Sequence, residues 1–446
     1  MPRPLRILYM SLYHPELVRG GAQQAAYELF LGARAAGLDA TFVASVEPAQ
    51  APALFKPGAI FTGFDGRPDE FLFLSGSYDH EWHRNLDIRA LRWFAEFLRE
   101  LRPEVVHFHH FMTMGLDLFL VARRVLPEAR LVLTLHEFLG ICKADGHMVR
   151  KGERRGALCL GASPVRCHQC FPTHTPEHFR LREDWMKHAY GVFDAFVAPT
   201  DFVRRRYVEW GLPAERVHTV ANAQADHSRQ DYRVRIPAPP AAEAGAAPRA
   251  PNRFGFFGQL LDDKGLTVVF DALEHYARTY EAPLRLDING ANLQFASAAF
   301  QVRFREFLER AKALEPRVRV EFLGSYAMPD LPARMGRVDW VLVPSTWWEI
   351  FAMVVSEAFM FRRPPVCSNI GGMAERIAHD RDGLLFEVGD PVHLAETLHR
   401  CVTEPGLHAS LAANSPGVPP VEEVVRRHCE VYGVAAPGLV PAPAGA

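Results

Sequence analysis

The chain lacks a long apolar run, and no uninterrupted stretch is long enough to cross a bilayer as a helix. It also lacks an excess of one charge, with 50 Lys and Arg against 52 Asp and Glu and a formal net charge of −2. That balance removes the general electrostatic argument for a nucleic-acid partner. No G-x-G-x-x-G is present, which disfavours a dinucleotide-binding reading. No internal repeat is visible, and the low-complexity stretches are confined to one linker and the tail. Cysteine is scarce: seven among 446 residues, an odd number in a chain that opens on a strand-like Ile7-Leu-Tyr-Met rather than an export signal. Free thiols or a metal are therefore favoured over disulfides, and a cytoplasmic chain is expected.

What is present points to two domains, because 446 residues exceed what one core usually organises. Hydrophobic residues at 48% and charged residues at 23% are ordinary for a globular chain with ample core. The 34 prolines, with many alanines and arginines, have the look of a GC-rich bacterial genome. Residues 5–11, 39–45, 105–110 and 131–137 read as strands, and 22–34 and 87–101 as helices. This alternation predicts a parallel sheet covered on both faces. His109, His110 and His136 fall at strand ends, the edge where open α/β sheets bind ligands. Gly20 and Gly21 stand where the first strand hands over to a helix, a place where glycine lets backbone approach a ligand. Residues 194–199, 200–211 and 217–222 follow as strand, capped helix and strand.

A second series begins at residue 253 with a strand ending in Gly258. Lys264-Gly265 then opens a helix, so that an ammonium and helix amides together form a cradle for an anion. Residues 284–290 and 318–326 are further strands closing in glycine turns. The most informative stretch is 341–361. Residues 341–343 read as a buried strand closed by Pro344, followed by a polar corner and a helix-like segment carrying Glu349 and Glu357, with residues 352–361 reading as the helix itself. On a helix, eight positions separate two side chains by roughly 80° and ~12 Å, so both can line one elongated ligand. The amides that start this helix would favour an anion in the corner.

Cys142, Cys159, Cys167 and Cys170 lie in an insertion, 140–175, without clear periodicity. A C-x-x-C with two more thiols can close a tetrahedral structural zinc site; reduced thiols in a mobile loop are the alternative. Basic stretches at 150–155 and 204–206, close to aromatic residues, can engage anionic lipid headgroups or a phosphorylated acceptor.

Pro344-Ser345, Glu349 and Glu357, with Gly371-Gly372 and Glu375 downstream, resemble the E-x7-E motif of retaining GT-B glycosyltransferases of the family 4 type. The resemblance runs over about residues 5–432 and is weakest at 46–86, in the cysteine insertion and in the linker. It implies an α/β GT-B architecture: two Rossmann-like, doubly wound domains facing a cleft, with the last helix crossing back to the first. The expected division is an acceptor domain 1–223, a Pro/Ala-rich linker 224–252, a donor domain 253–415, a returning helix 416–433 and a disordered tail 434–446. The resemblance further implies that Glu349 meets sugar hydroxyls, Lys264 grips the donor diphosphate and Glu357 holds the ribose diol. His136-Glu137-Phe138 resembles the family's His-Asp-aromatic motif, which makes His136 a catalytic candidate and Glu137, His109 and His110 acceptor-side candidates. Gly21, Gly258, Gln259, Tyr326, Phe351, Ala352 and Met353 complete the expected donor side. Gln259 stands where Arg is usual, Glu137 where Asp is, and Ala352 and Ala223 where Gly is.

The implied reaction moves a sugar from a nucleotide diphosphate to an acceptor hydroxyl with no catalytic metal, in glycan, polysaccharide or glycolipid synthesis. The acceptor is open, a lipid-linked one at the inner membrane face included. No nucleic-acid partner is expected. The rival from another class is a catalytically silent module that binds a sugar nucleotide or a protein partner.

Overall fold

The computed structural model describes residues 3–47, 49–151, 157–226 and 250–434. Most of the expected linker, residues 152–155 of the first basic stretch and the tail from 435 lie outside the described residues. The chain divides into two compact units, residues 1–225 with 419–446, and residues 226–418.

The first unit is built on a sheet of eight strands among the described residues. Their order is Val217–Thr219, Ala195–Ala198, Arg130–Thr134, Val105–Phe108, Arg6–Ser11, Asp39–Ser45, Arg67–Phe73 and Phe61–Phe64. All neighbours are parallel except the last pair. The central strands are buried on both faces, which is why Val105–Phe108 and Ala195–Ala198 are uniformly apolar or nearly so instead of alternating. Residues 46–86, the stretch least like any pattern in the sequence, supply the edge strand Phe61–Phe64, its neighbour Arg67–Phe73 and a hairpin of two short strands, Tyr78–Asp79 and Arg84–Asn85. Their period-2 signal is broken by Gly63, Asp65 and Gly66 at the turn.

Helix Val421–Tyr432 completes this unit. Val421 and Val425 lie on Gly32 of helix Gly21–Ala35, so close that a Cβ at Gly32 would stand 2.4 Å from Val421 Cγ1. At the far end the Tyr432 hydroxyl is 2.7 Å from His107 Nδ1, and Arg130 Nε donates to the Val431 carbonyl at 2.7 Å.

The second unit carries six parallel strands in the order Val318–Gly324, Leu284–Ala291, Arg253–Gln259, Trp340–Val343, Pro365–Ser368 and Leu384–Phe386. The order reverses direction beside Arg253–Gln259 and Trp340–Val343, so the loops leaving these two strands meet at a topological switch point. Helix Leu266–Thr279 covers one face through Phe270, whose ring stacks on Phe307 at 3.9 Å between centroids. Trp340 is fully buried, and its Nε1–H donates to the Pro251 carbonyl at 2.7 Å. An indole in a core needs such a partner.

Candidate functional site

In the second unit the loop after Arg253–Gln259 and the corner after Trp340–Val343 lie against each other. The contact is backbone to backbone: the Thr346 amide donates to the Asp263 carbonyl at 2.9 Å. Gly265 makes the approach feasible. Its φ is +75°, and a Cβ there would stand 1.8 Å from the Pro344 carbonyl oxygen.

This approach brings Lys264 Nζ to 2.7 Å from Glu349 Oε1. The same oxygen accepts from Ser345 Oγ at 2.7 Å and from Trp347 Nε1 at 2.9 Å. The Lys264 ammonium lies 4.8 Å from the centre of the Trp347 ring. Glu349 is 6% exposed. Burial alone would raise its pKa, but Lys264, Ser345 and Trp347 outweigh burial and hold the carboxyl below its ordinary value. Lys264 keeps about a quarter of its side chain exposed. The result is a fixed carboxylate with a partly accessible ammonium beside it at a strand's carboxyl end.

Glu349 does not belong to the helix. Helix Met353–Met360 begins four residues later, so the helical spacing expected between Glu349 and Glu357 does not apply. The corner is a turn pinned by Gly372, whose amide donates to the Glu349 carbonyl at 2.7 Å. Glu357 is helical and 8% exposed. Ala352 precedes the helix with φ 55° and ψ 85°, a left-handed conformation that explains why glycine would suit this position. Met353 is the first helical residue, and Phe351 is buried below the turn.

Arg376, which carried no expectation, secures this turn. Its guanidinium lies 3.6 Å from the centre of the Phe351 ring and donates to the carbonyls of Phe351 at 2.7 Å and Ala352 at 3.1 Å. A third bond runs to Ser356 Oγ at 2.6 Å. Burial pushes its pKa down to about 9, so it stays charged at neutral pH. No motif-level signal marks Arg376.

Around the same strand ends, Gly258 is half-buried and Gln259 exposed as the last residue of Arg253–Gln259. Tyr326 follows Val318–Gly324 and meets Phe257 edge-on at 5.9 Å.

The first unit gathers histidines behind Val105–Phe108 and Arg130–Thr134. His109 Nδ1 is 3.0 Å from His136 Nε2, and His107 Nε2 is 2.7 Å from Thr134 Oγ1. The rings of His107 and His109 are 4.2 Å apart. Burial drives all of them down: His136 to about 3, His110 to about 4, and His107 and His109 well below the usual value. They are neutral imidazoles at physiological pH, able to orient a hydroxyl but not to act as cations. His110 has its Nδ1 committed to the amides of Phe111 and Met112, both at 3.0 Å. Gly21 is the first residue of its helix rather than a loop residue.

Two family models match the chain: "Glycosyltransferase Family 4" over residues 19–223 and "Glycosyl transferases group 1" over residues 241–417. Among solved structures, HepE of Anabaena in complex with UDP superposes with a TM-score of 0.63 at 19% identity, covering 96% of this chain and 100% of that one. The chain has the GT-B fold. A glycosyltransferase from Rickettsia africae superposes with a TM-score of 0.65 at 15% identity, covering 96% and 98% of the two chains. In sequence, D-inositol 3-phosphate glycosyltransferase of Rhodococcus jostii is 31% identical over 46% of this chain and 44% of its own length. The matches to the first such relatives thus span less than half of those proteins. Glycogen synthase of Mycobacterium tuberculosis is 23% identical over 90% of this chain and 87% of its own.

In this GT-B chain Glu137 turns back into its own loop. Its Oε2 accepts from the Leu139 amide, and its carbonyl accepts from the Tyr207 hydroxyl at 2.7 Å. Burial raises its pKa from 4.5 to about 7, against smaller opposing effects of the Leu139 amide and Arg182. The folded chain therefore retains a proton that the unfolded chain loses above pH 4.5. Glu137 accordingly weakens the fold as pH rises towards 7 and by a constant amount beyond. Glu137→Gln, whose amide oxygen can still accept from Leu139, should be more stable than the parent by about 1–3 kcal/mol at pH 8. The gain should vanish near pH 4.5. Urea unfolding at both pH values measures it, and a gain independent of pH would refute the assignment.

The second basic stretch is mostly engaged within the unit. Arg204 donates to the carbonyls of Val217 and Ala214, and Arg206 to that of Leu160. No described helix is long and apolar enough to cross a membrane.

Proposed function

We propose that the protein is a retaining glycosyltransferase that moves a sugar from a nucleoside diphosphate to an acceptor hydroxyl. The observation that carries this reading is the Lys264–Glu349 pair, fixed at the switch point of the second unit. Cleavage of the anomeric bond builds negative charge on the departing diphosphate and positive charge on the sugar. Lys264, the amides that open helix Met353–Met360 and the cradle at Gly265 answer the first charge. Glu349, held ionised, accepts from sugar hydroxyls, and Glu357 from the ribose diol. With Gln259 in place of an arginine, Lys264 carries a larger share of the leaving-group stabilisation. In the first unit, neutral His136, 3.0 Å from His109, offers an imidazole to a sugar hydroxyl.

The complexes of HepE with UDP and UDP-glucose make UDP-sugars the first donors to try. The named activity of the Rhodococcus relative adds phosphorylated cyclitols to the lipid-linked and glycan acceptors. Exposed Leu86, Ile88 and Trp93, at 56%, 59% and 59%, would serve a peripheral membrane contact if the acceptor is a lipid.

The test is a thermal-shift panel of nucleoside diphosphates and their sugar conjugates, followed by an assay of donor consumption. One nucleotide should raise the melting temperature selectively, and the shift should be lost in Glu357→Ala. A shift without donor consumption in the presence of any acceptor class would favour a silent sugar-nucleotide binder; no shift in folded protein would remove the donor site.

A further inference from the structure

The cysteine insertion carries chemistry that sugar transfer does not use. Three pieces of chain meet there. Cys142 closes a turn after the first-domain strand Arg130–Thr134, its amide bonded to the Phe138 carbonyl at 2.7 Å. Cys159 follows an antiparallel bridge between Val149 and Leu158, with its amide bonded to the Met148 carbonyl at 2.7 Å. Cys167 and Cys170 stand on helix Pro164–Cys170, three residues apart and so on one face. All four cysteines line one small cavity. Cys142, Cys167 and Cys170 carry free thiols.

We propose that Cys142, Cys159, Cys167 and Cys170 bind one structural zinc ion as a tetrathiolate. The donor set suits zinc, which prefers four sulfur ligands at about 2.3 Å in sites that do no chemistry. Among the described residues no three of these sulfurs lie within 4.8 Å of one another, so metal binding draws them inwards through side-chain rotation. Binding releases the thiol protons to solvent and leaves a site of net charge −2. Lys143, Arg150 and Arg166 line the same cavity and offset that charge. The gain is local order: Phe138, Ile141, Ala144 and Met148 are buried, but no residue of 157–170 is, so the helix and the stretch before it have little core of their own. A metal crosslink supplies what the core there does not.

A competing cluster is close by. Glu81, His174 and His178 also come together with metal-ligand spacing. Lys143, however, already bonds Glu81, and His178 Nε2 is 2.7 Å from the other carboxylate oxygen. An ammonium in that place satisfies the carboxylate without a metal.

The experiment is metal analysis of the full chain, purified without chelators, with zinc release followed during titration of the thiols by a mercurial. About one zinc per chain, released as the thiols react, is expected. Cobalt exchanged into the site should show intense thiolate-to-metal charge transfer and a tetrahedral ligand field. Cys167→Ser with Cys170→Ser should lose the metal, whereas His174→Ala with His178→Ala should keep it. The cobalt spectrum of the unaltered chain counts sulfur ligands even if the serine variant fails to fold. Metal retained by the serine variant and lost by the alanine variant would place the ion on Glu81, His174 and His178 and overturn the proposal. Metal-free protein with reactive thiols, or with disulfides found by mass spectrometry, would overturn it as well.

Discussion

Lys264→Ala is expected to lower sugar transfer by about 10²–10³-fold, an effect of the size seen when one preorganised group is removed from a developing anion. The ammonium is held 2.7 Å from Glu349 Oε1 and against the Trp347 ring, so its position is set before any ligand arrives. Its loss also leaves Glu349, 6% exposed, with only Ser345 and Trp347 as partners. The Glu349 carboxyl then loses the interaction that depresses its pKa. That depressed pKa contributes stability above the ordinary carboxylate value and gives it up as pH falls through the folded-state value. The variant should therefore lose stability at neutral pH, by about 1–3 kcal/mol once the partial exposure of Lys264 is allowed for, and less in acid. Lys264→Arg keeps the charge and should recover part of the rate. Initial rates of donor consumption and urea unfolding check the two parts separately. Transfer within a few-fold of the parent in Lys264→Ala would show that the lysine only pairs with Glu349 and does not face the diphosphate.

Gly265→Val should be the most destabilising single change in the second unit described here. Two costs add: a β-branched residue at φ +75°, and a Cβ 1.8 Å from the Pro344 carbonyl oxygen. The chain cannot relieve the clash without separating the Lys264 loop from the Glu349 corner. A loss of at least about 3 kcal/mol is expected, which lowers the melting temperature by roughly 6–12 °C in a domain of this size. Donor binding should fail with it. Gly389→Ala is the control, since Gly389 has the same φ of +75° with nothing within 4 Å of its would-be Cβ. It carries backbone strain alone and should cost about 1 kcal/mol. Equal losses in the two variants would mean that the approach to Pro344 contributes nothing.

Local pattern was enough for the framework. Buried parallel strands are continuous apolar runs, and helices show a 3.6-residue stripe, so the strand–helix alternation of both units was legible in the chain, and the resemblance carried by the Glu349–Glu357 motif supplied the GT-B architecture. So were the residues whose type and neighbours announce chemistry: Lys264 before a glycine, Glu349 and Glu357 after Pro344-Ser345, His136 after a strand. What each residue touches was not legible. The corner is a turn and not the first turn of a helix because Gly372, 23 positions later, binds the Glu349 carbonyl. No window of sequence around Glu349 contains that partner.

Long-range contacts decided the remaining assignments as well. Arg376 looks like any surface arginine until the fold lays it on Phe351 and under two carbonyls. The histidines read as polar strand ends; only burial beside His107, His428 and Tyr432 makes them neutral and fixes their hydrogen bonds. Glu137 stands in an aspartate's place in the motif, yet the packing of Gly146 and Tyr207 turns it into a loop anchor. The sequence by itself determined which elements form and which chemical groups their ends carry, because both follow from side-chain period and residue type. The tertiary structure decided which of those groups are charged, paired and held in place, because desolvation and hydrogen bonding come from residues far away in the chain.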